Sequence, residues 1–164
     1  MDRYSGFAEF VGARQMALSR TAYLLTGDHH AAQDLVQAAL VKTAAHWPRV
    51  LAGGDPEAYV RRVMVNENIS GWRRRVPRPV ETVPDRPVAD ESGRTDARLA
   101  VAAALRQVPP RQRAVVVLRF FEDLSEAETA SLLGCSVGTV KSQTHDALVR
   151  LRQLLPSPTL SEVL

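Results

Sequence analysis

Five arginines, a tyrosine, a tryptophan and two asparagines fall within the 17 residues Tyr59–Arg75, YVRRVMVNENISGWRRR. Guanidinium groups neutralise phosphates and stack on bases, and aromatic rings stack on bases too. An asparagine amide offers both a donor and an acceptor to a base edge. These types suit a nucleic-acid strand whose bases are unstacked, although a solvated basic face with Trp72 packed in a core would use the same residues. A second constellation is SEAETASLLGCSVGTVKSQTHDALVRLR, residues 125–152. Ser125 and Glu128 have the S-x-x-E spacing of a capping box, Gly134 allows a tight turn with positive φ, and Ser136 can cap the helix that follows. Small Ala130 sits where two helices must cross closely. This is helix-turn-helix construction. An ordinary pair of packed helices needs the same apolar spacing, but here the second helix leaves Thr139, Lys141, Ser142 and His145 on its free face. Those side chains suit phosphates and base edges.

Other candidate chemistry is sparse. His29 and His30 are adjacent, so on a helix they diverge and cannot share a metal ion, and no second ligand cluster exists. Cys135, the only cysteine, reads as a small apolar residue. No phosphate-cradling glycine loop, H-E-x-x-H or G-x-S-x-G is present, and nothing assembles a nucleophile, a base and an orienting group. No catalysis, metal or cofactor is expected.

Both constellations need helices to position them. Phe7, Phe10, Val11, Leu18, Ala22 and Leu25 recur at helical spacing up to Gly27. Asp28 can cap a second helix with Ala32, Leu35, Val36, Ala39, Leu40 and Thr43 inward, and Pro48 should end it. Asp55-Pro56 is an N-cap followed by a first-turn proline, so the basic segment begins inside a third helix carrying Tyr59, Val60, Val63, Met64 and Trp72. Leu99–Leu105 starts another helix, closed by Pro109-Pro110, and Val115, Val116, Leu118 and Phe120 continue in the next. No stretch alternates with period two. The expected fold class is all-α.

The segment 76–96, VPRPVETVPDRPVADESGRTD, contains Pro77, Pro79, Pro84 and Pro87 without apolar periodicity, and reads as an extended, mobile linker. It divides a first helical unit, 1–75, from a second, 97–155, with a short tail over 156–164. Net charge runs +3 over 1–75, −2 over 76–96 and +2 over 97–164. The basic ends point to a polyanion partner. Of the 21 cations only Lys42 and Lys141 are lysines. Apolar runs reach about five residues, far from the ~20 of a membrane span. The first residues, MDRYSGFAEF, lack a basic and then apolar leader. With a single cysteine, a cytoplasmic location is expected.

In order along the chain, these strings resemble the extracytoplasmic-function (ECF) sigma factors, the small two-domain class of bacterial transcription initiation factor. Asp34-Leu-Val-Gln37 resembles the D-L-V-Q of family region 2.2. Tyr59-Val-Arg-Arg-Val-Met-Val-Asn66 with Trp72-Arg-Arg-Arg75 resembles regions 2.3 and 2.4. Val108-Pro-Pro-Arg-Gln-Arg113 resembles the start of region 4, and Leu124–Ser142 its helix-turn-helix. Gln143-Thr144 looks like the actinobacterial branch often called the SigE family. The resemblance implies two small helical domains, region 2 and region 4, joined by a flexible linker. It implies docking on the β′ clamp helices of core RNA polymerase through Asp34, Gln37, Val41 and Lys42, and region 4 on the β flap. It implies reading and melting of the −10 promoter element by Arg61, Arg62, Asn66, Trp72, Arg73, Arg74 and Arg75, with Asn66 in the base pocket. It also implies −35 reading by Ser136, Thr139, Lys141, Ser142 and His145, and adds an anti-sigma factor to the candidate partners.

The chain departs from the family pattern at several points. Ala38 stands where Glu often follows D-L-V-Q. Gln143, Asp146 and Leu148 replace frequent cations of the recognition helix, which should lower −35 affinity. Thr129 replaces a usual Ile. A stand-alone helix-turn-helix regulator would explain residues 125–152 but leaves Asp34–Gln37 and Tyr59–Arg75 without a role. A helical adaptor with no nucleic-acid role would show no salt-sensitive DNA binding.

Overall fold

The computed structural model describes residues 2–74 and 94–164, with the backbone alone at 72–74, 94 and 95. All regular structure among the described residues is helical. Helix α1 (Phe7–Thr26) buries Leu18, Thr21, Ala22 and Leu25, one stripe at three- and four-residue steps. It ends at Gly27, whose φ of 71° suits a residue without Cβ and whose N–H reaches the Tyr23 carbonyl. Asp28 caps α2 (His29–Ala45), its carboxylate accepting from the Ala31 N–H at 2.8 Å. Such a cap stabilises a helix by ~1 kcal/mol. Asp55 does the same for α4 (Pro56–Arg74), accepting from the Ala58 N–H at 3.0 Å. Val60, Met64 and Val65 of α4 are buried, and α2 packs against both α1 and α4. Each such buried side chain contributes roughly 1.5–3 kcal/mol.

Pro48 does not simply end a helix. It lies in the first turn of a short helix, α3 (Trp47–Ala52), where its missing N–H costs nothing. That turn buries Trp47, whose ring meets Phe7 edge-on at 5.1 Å and Phe10 at 5.4 Å. Its indole N–H donates to the Ser5 carbonyl at 2.8 Å. The ring ties the start of α1 to the end of α2.

The second half comprises α5 (Arg94–Leu105), α6 (Pro110–Val116), a π-helical turn over Val117–Phe121, α7 (Glu126–Leu133), α8 (Val137–Leu154) and α9 (Ser157–Val163). Residues 94–96, read as the end of the linker, are therefore helical, while 76–93 of that linker lies outside the described residues. The segment read as a short tail forms α9, which buries Leu160 and packs on α5. The π-helical turn follows from the Glu122 N–H bonding the Val117 carbonyl, five residues back.

The two halves are not separate bodies. One continuous cluster of buried residues includes Leu18, Leu25, Val60 and Met64 from the first half and Val101, Leu105, Val116 and Leu118 from the second. Arg113 fastens the junction. Its guanidinium is buried and donates to the carbonyls of Leu105 at 2.7 Å, Leu25 at 2.6 Å, and Arg106 and Val108 at 3.0 Å. Three of these carbonyls lie at the α5–α6 corner, and the fourth is at the end of α1. Burial, then the neighbouring Arg106, lower its pKa to about 10. The group is still a cation near neutral pH.

Thr129 of α7 is fully buried, and its hydroxyl has no hydrogen-bond partner. An unsatisfied buried hydroxyl costs roughly 1–3 kcal/mol. Thr129→Val keeps the shape and removes the hydroxyl. It is expected to stabilise the fold by ~1 kcal/mol and raise the thermal midpoint by about 2–4 °C. A midpoint at or below that of the parent in a circular-dichroism melt counts against this account.

Candidate nucleic-acid interface

Helix α2 turns Asp34, Gln37 and Val41 outward, at i, i+3 and i+7 on one face. Val41 is 67% exposed, whereas Leu35 and Val36 of the same helix are buried. Ala38, beside Gln37, is half-buried. Lys42 is on the same helix, but its ammonium is ion-paired with Glu67 of α4. The ion pair connects the α2 face to the middle of the basic helix.

On α4, Arg62 and Asn66 are exposed and one turn apart, so they share a face. Asn66 sits in the interior of the helix, where it caps nothing. Asn68 plays a different part, its amide donating to the Leu25 carbonyl at 3.3 Å. Arg61 does not join Arg62 and Asn66. Its side chain is turned to the junction between the halves, where Nη2 lies 3.5 Å from Glu57 and 3.0 Å from Glu122. Adjacent helical residues diverge by about 100°. One of the two arginines therefore stays on the outer face while the other is drawn inward. The helix carries its backbone through Trp72, Arg73 and Arg74, whose side chains are not described, and Arg75 lies outside the described residues.

The second constellation forms the expected pair of capped helices joined by a tight turn. Ser125 Oγ accepts from the Glu128 N–H at 3.0 Å, and Glu128 accepts from the Ser125 N–H at 2.7 Å, so both halves of the capping box are made. The Ser125 backbone N–H, then its hydroxyl, hold the Glu128 carboxyl below its usual pKa range. The box contributes fully above the ordinary carboxylate pKa and weakens as acidification passes the lowered value. Gly134, with φ 67°, makes the turn. Ser136 then caps α8, accepting from the Thr139 N–H at 3.1 Å. Its hydroxyl is thus engaged locally, as is that of Ser142, which donates to the Thr139 carbonyl at 3.0 Å. Thr139, Lys141, Ser142 and His145 are all exposed. The Lys141 ammonium lies 3.9 Å from Glu126 of α7, at a distance that leaves it free to exchange for a phosphate. Val140, Ala147 and Leu151 hold the opposite face in the core.

No group of three or more potential metal ligands forms among the described residues, and no described helix is long and apolar enough to cross a membrane.

Residues 10–77 match the family model "Sigma-70 region 2", and residues 98–151 match "Sigma-70, region 4". The chain belongs to the sigma-70 family of RNA polymerase sigma factors. Within it, the chain is of the ECF class and of the sigma-E type. It is 44% identical over 156 residues to the RNA polymerase sigma-E factor of Streptomyces avermitilis, covering 94% of this chain and 87% of that one. It is 32% identical over 155 residues to the ECF RNA polymerase sigma factor SigM of Mycobacterium tuberculosis, covering 94% and 79%. Among solved structures, the sigma factor RpoE of Bartonella quintana, in complex with the anti-sigma factor NepR, is similar with a TM-score of 0.68. Its identity is 25%, and the match covers 90% of this chain and 95% of that one.

Proposed function

We propose that this chain binds core RNA polymerase and directs it to promoters, reading the −10 element with region 2 and the −35 element with region 4. The observation that carries this reading is the set of side chains left outward on well-packed helices. These are Asp34, Gln37 and Val41 on α2, Arg62 and Asn66 on α4, and Thr139, Lys141, Ser142 and His145 on α8. In this reading α2 docks on the β′ clamp helices and region 4 on the β flap. Asn66 receives a base turned out of the non-template strand, which offsets an unstacking cost of a few kcal/mol. Arg73, Arg74 and Arg75 add phosphate contacts beyond it. The chain itself carries out no catalysis; the polymerase performs the chemistry. It acts in the cytoplasm, and an anti-sigma factor is a further partner. A stand-alone helix-turn-helix regulator is not favoured, because the first half of the chain matches region 2.

The test adds the purified chain to core polymerase and genomic DNA and maps transcript starts. Starts clustered behind shared −10 and −35 sequences are expected, and unclustered starts would sink the proposal. Asp34→Arg should weaken core binding at least tenfold in a pull-down while leaving helical content unchanged, since Asp34 is exposed. Unchanged binding removes α2 from the docking surface. Lys141→Ala should weaken binding to a −35-dependent promoter by ~1 kcal/mol and reduce the salt slope by about one. Normal transcription from such a promoter would mean the reader helix is misplaced.

A further inference from the structure

Lys42 and Glu67 meet at the rim between α2 and α4, ammonium against carboxylate. Helical spacing explains the meeting. Lys42 lies seven residues after Leu35 and three after Ala39, both buried, so it borders the inward stripe of α2. Glu67 lies seven residues after Val60 and three after Met64, also buried, and borders the matching stripe of α4. Lys42 is thus turned away from the Asp34, Gln37 and Val41 face and towards α4. The two side chains are 54% and 30% exposed. A pair so open to water adds little to stability, so stability does not account for it.

Glu67 is the only acidic residue within Tyr59–Arg75. It directly follows Asn66, and neighbouring Cα atoms are ~3.8 Å apart. Exposed charges act on one another over ~10 Å at 0.1 M salt. A bare carboxylate at this point would repel the phosphates of any strand that brings a base to Asn66. The Lys42 ammonium cancels that charge and holds it on the α2 side.

We propose that Lys42 is the counter-charge of Glu67, a positioning residue that clears the Asn66 face for a DNA strand, and not a contact of the polymerase. The inference deepens the promoter-reading function proposed above and rests on it. It divides α2 between two tasks. Asp34, Gln37 and Val41 face outward for docking, while Lys42, one position further on, serves α4.

Lys42→Met keeps the apolar stem and removes the charge. Glu67→Gln keeps the size of its side chain and does the same. Each variant and the double variant are titrated into core polymerase, and open complexes are then counted on a −10-dependent promoter over a salt series. Lys42→Met is expected to lower open-complex formation three- to tenfold at unchanged core affinity and helical content. The loss should shrink as salt rises, because screening weakens the repulsion. Adding Glu67→Gln should bring Lys42→Met back to within twofold of the parent. Glu67→Gln alone frees Lys42 for a phosphate and should steepen the salt dependence by about one ion. Weaker core binding by Lys42→Met would make Lys42 a polymerase contact and overturn the proposal. A defect that Glu67→Gln does not relieve, a loss of helical content, or no defect at all would overturn it as well. So would a loss of open complexes in Glu67→Gln alone, which would mean that Glu67 itself reads a base. A parent chain that opens no promoter sinks the functional reading, whereas a parent that does so beside such variants sinks the counter-charge alone.

Discussion

Arg113→Ala is expected to destabilise the chain by ~3–5 kcal/mol, because it removes a large buried side chain together with its charge-assisted hydrogen bonds. Four main-chain carbonyls lose a donor together, those of Leu25, Leu105, Arg106 and Val108. Each unsatisfied carbonyl costs about 1 kcal/mol or more, and the void left by the guanidinium adds to that. Against a typical total of ~5–15 kcal/mol this is a large fraction, and the thermal midpoint should fall by ~10 °C. Arg113→Lys should not rescue it, because a single ammonium cannot face carbonyls on several sides as the planar fork does. Arg111→Ala supplies the control: it is two residues away and exposed, and should shift stability by less than ~0.5 kcal/mol. Thermal melts of the three variants decide the matter. A loss below ~1 kcal/mol for Arg113→Ala would mean that water or a shifted backbone satisfies those carbonyls.

Asn66→Ala is the functional counterpart. If Asn66 reads a base turned out of the stack, its loss should cost ~1–3 kcal/mol in open-complex formation, about 5- to 150-fold, at unchanged core binding. A promoter already mismatched over the −10 region should recover part of the defect, because melting is no longer required. Stability should not suffer. Asn66 is exposed in the interior of α4, and alanine has the higher helix propensity there, by a few tenths of a kcal/mol. Permanganate footprinting on duplex and bubble templates, with a thermal melt, separates the possibilities. A lowered midpoint with no selective rescue on the bubble would assign Asn66 a structural role.

The local punctuation of the helices was legible because it is written over three or four residues. Gly27, Asp28, Asp55-Pro56, Ser125 with Glu128, Gly134 and Ser136 all do what their types and spacing predict. The outward faces of α2 and α8 were legible for the same reason, since helical periodicity alone sorts them from the core. What escaped depends on residues far apart in the chain. The ion pair of Arg61 is one example, since its partner Glu122 is 61 positions away. Pro48 reads as a stop, yet the burial of Trp47 against Phe7 and Phe10 makes a new helix worth forming. The packing of one half on the other leaves no periodic trace. Its apolar residues look like those of any amphipathic helix until both surfaces are known.

The junction of Leu25, Gly27, Arg106 and Arg113 bears on how such chains can be recombined. The two family matches, one over each half, suggest modules that could be exchanged. Here the end of α1 is shaped for one particular α5–α6 corner: a carbonyl for one arginine and a bare glycine under another. A chimera that takes region 4 from a relative inherits a corner fitted to a different α1. Crossovers placed between the halves would succeed most often when the donor also supplies the residue facing position 27. Exchange of the two halves is thus tied to the surfaces on which they meet as well as to their outward helices.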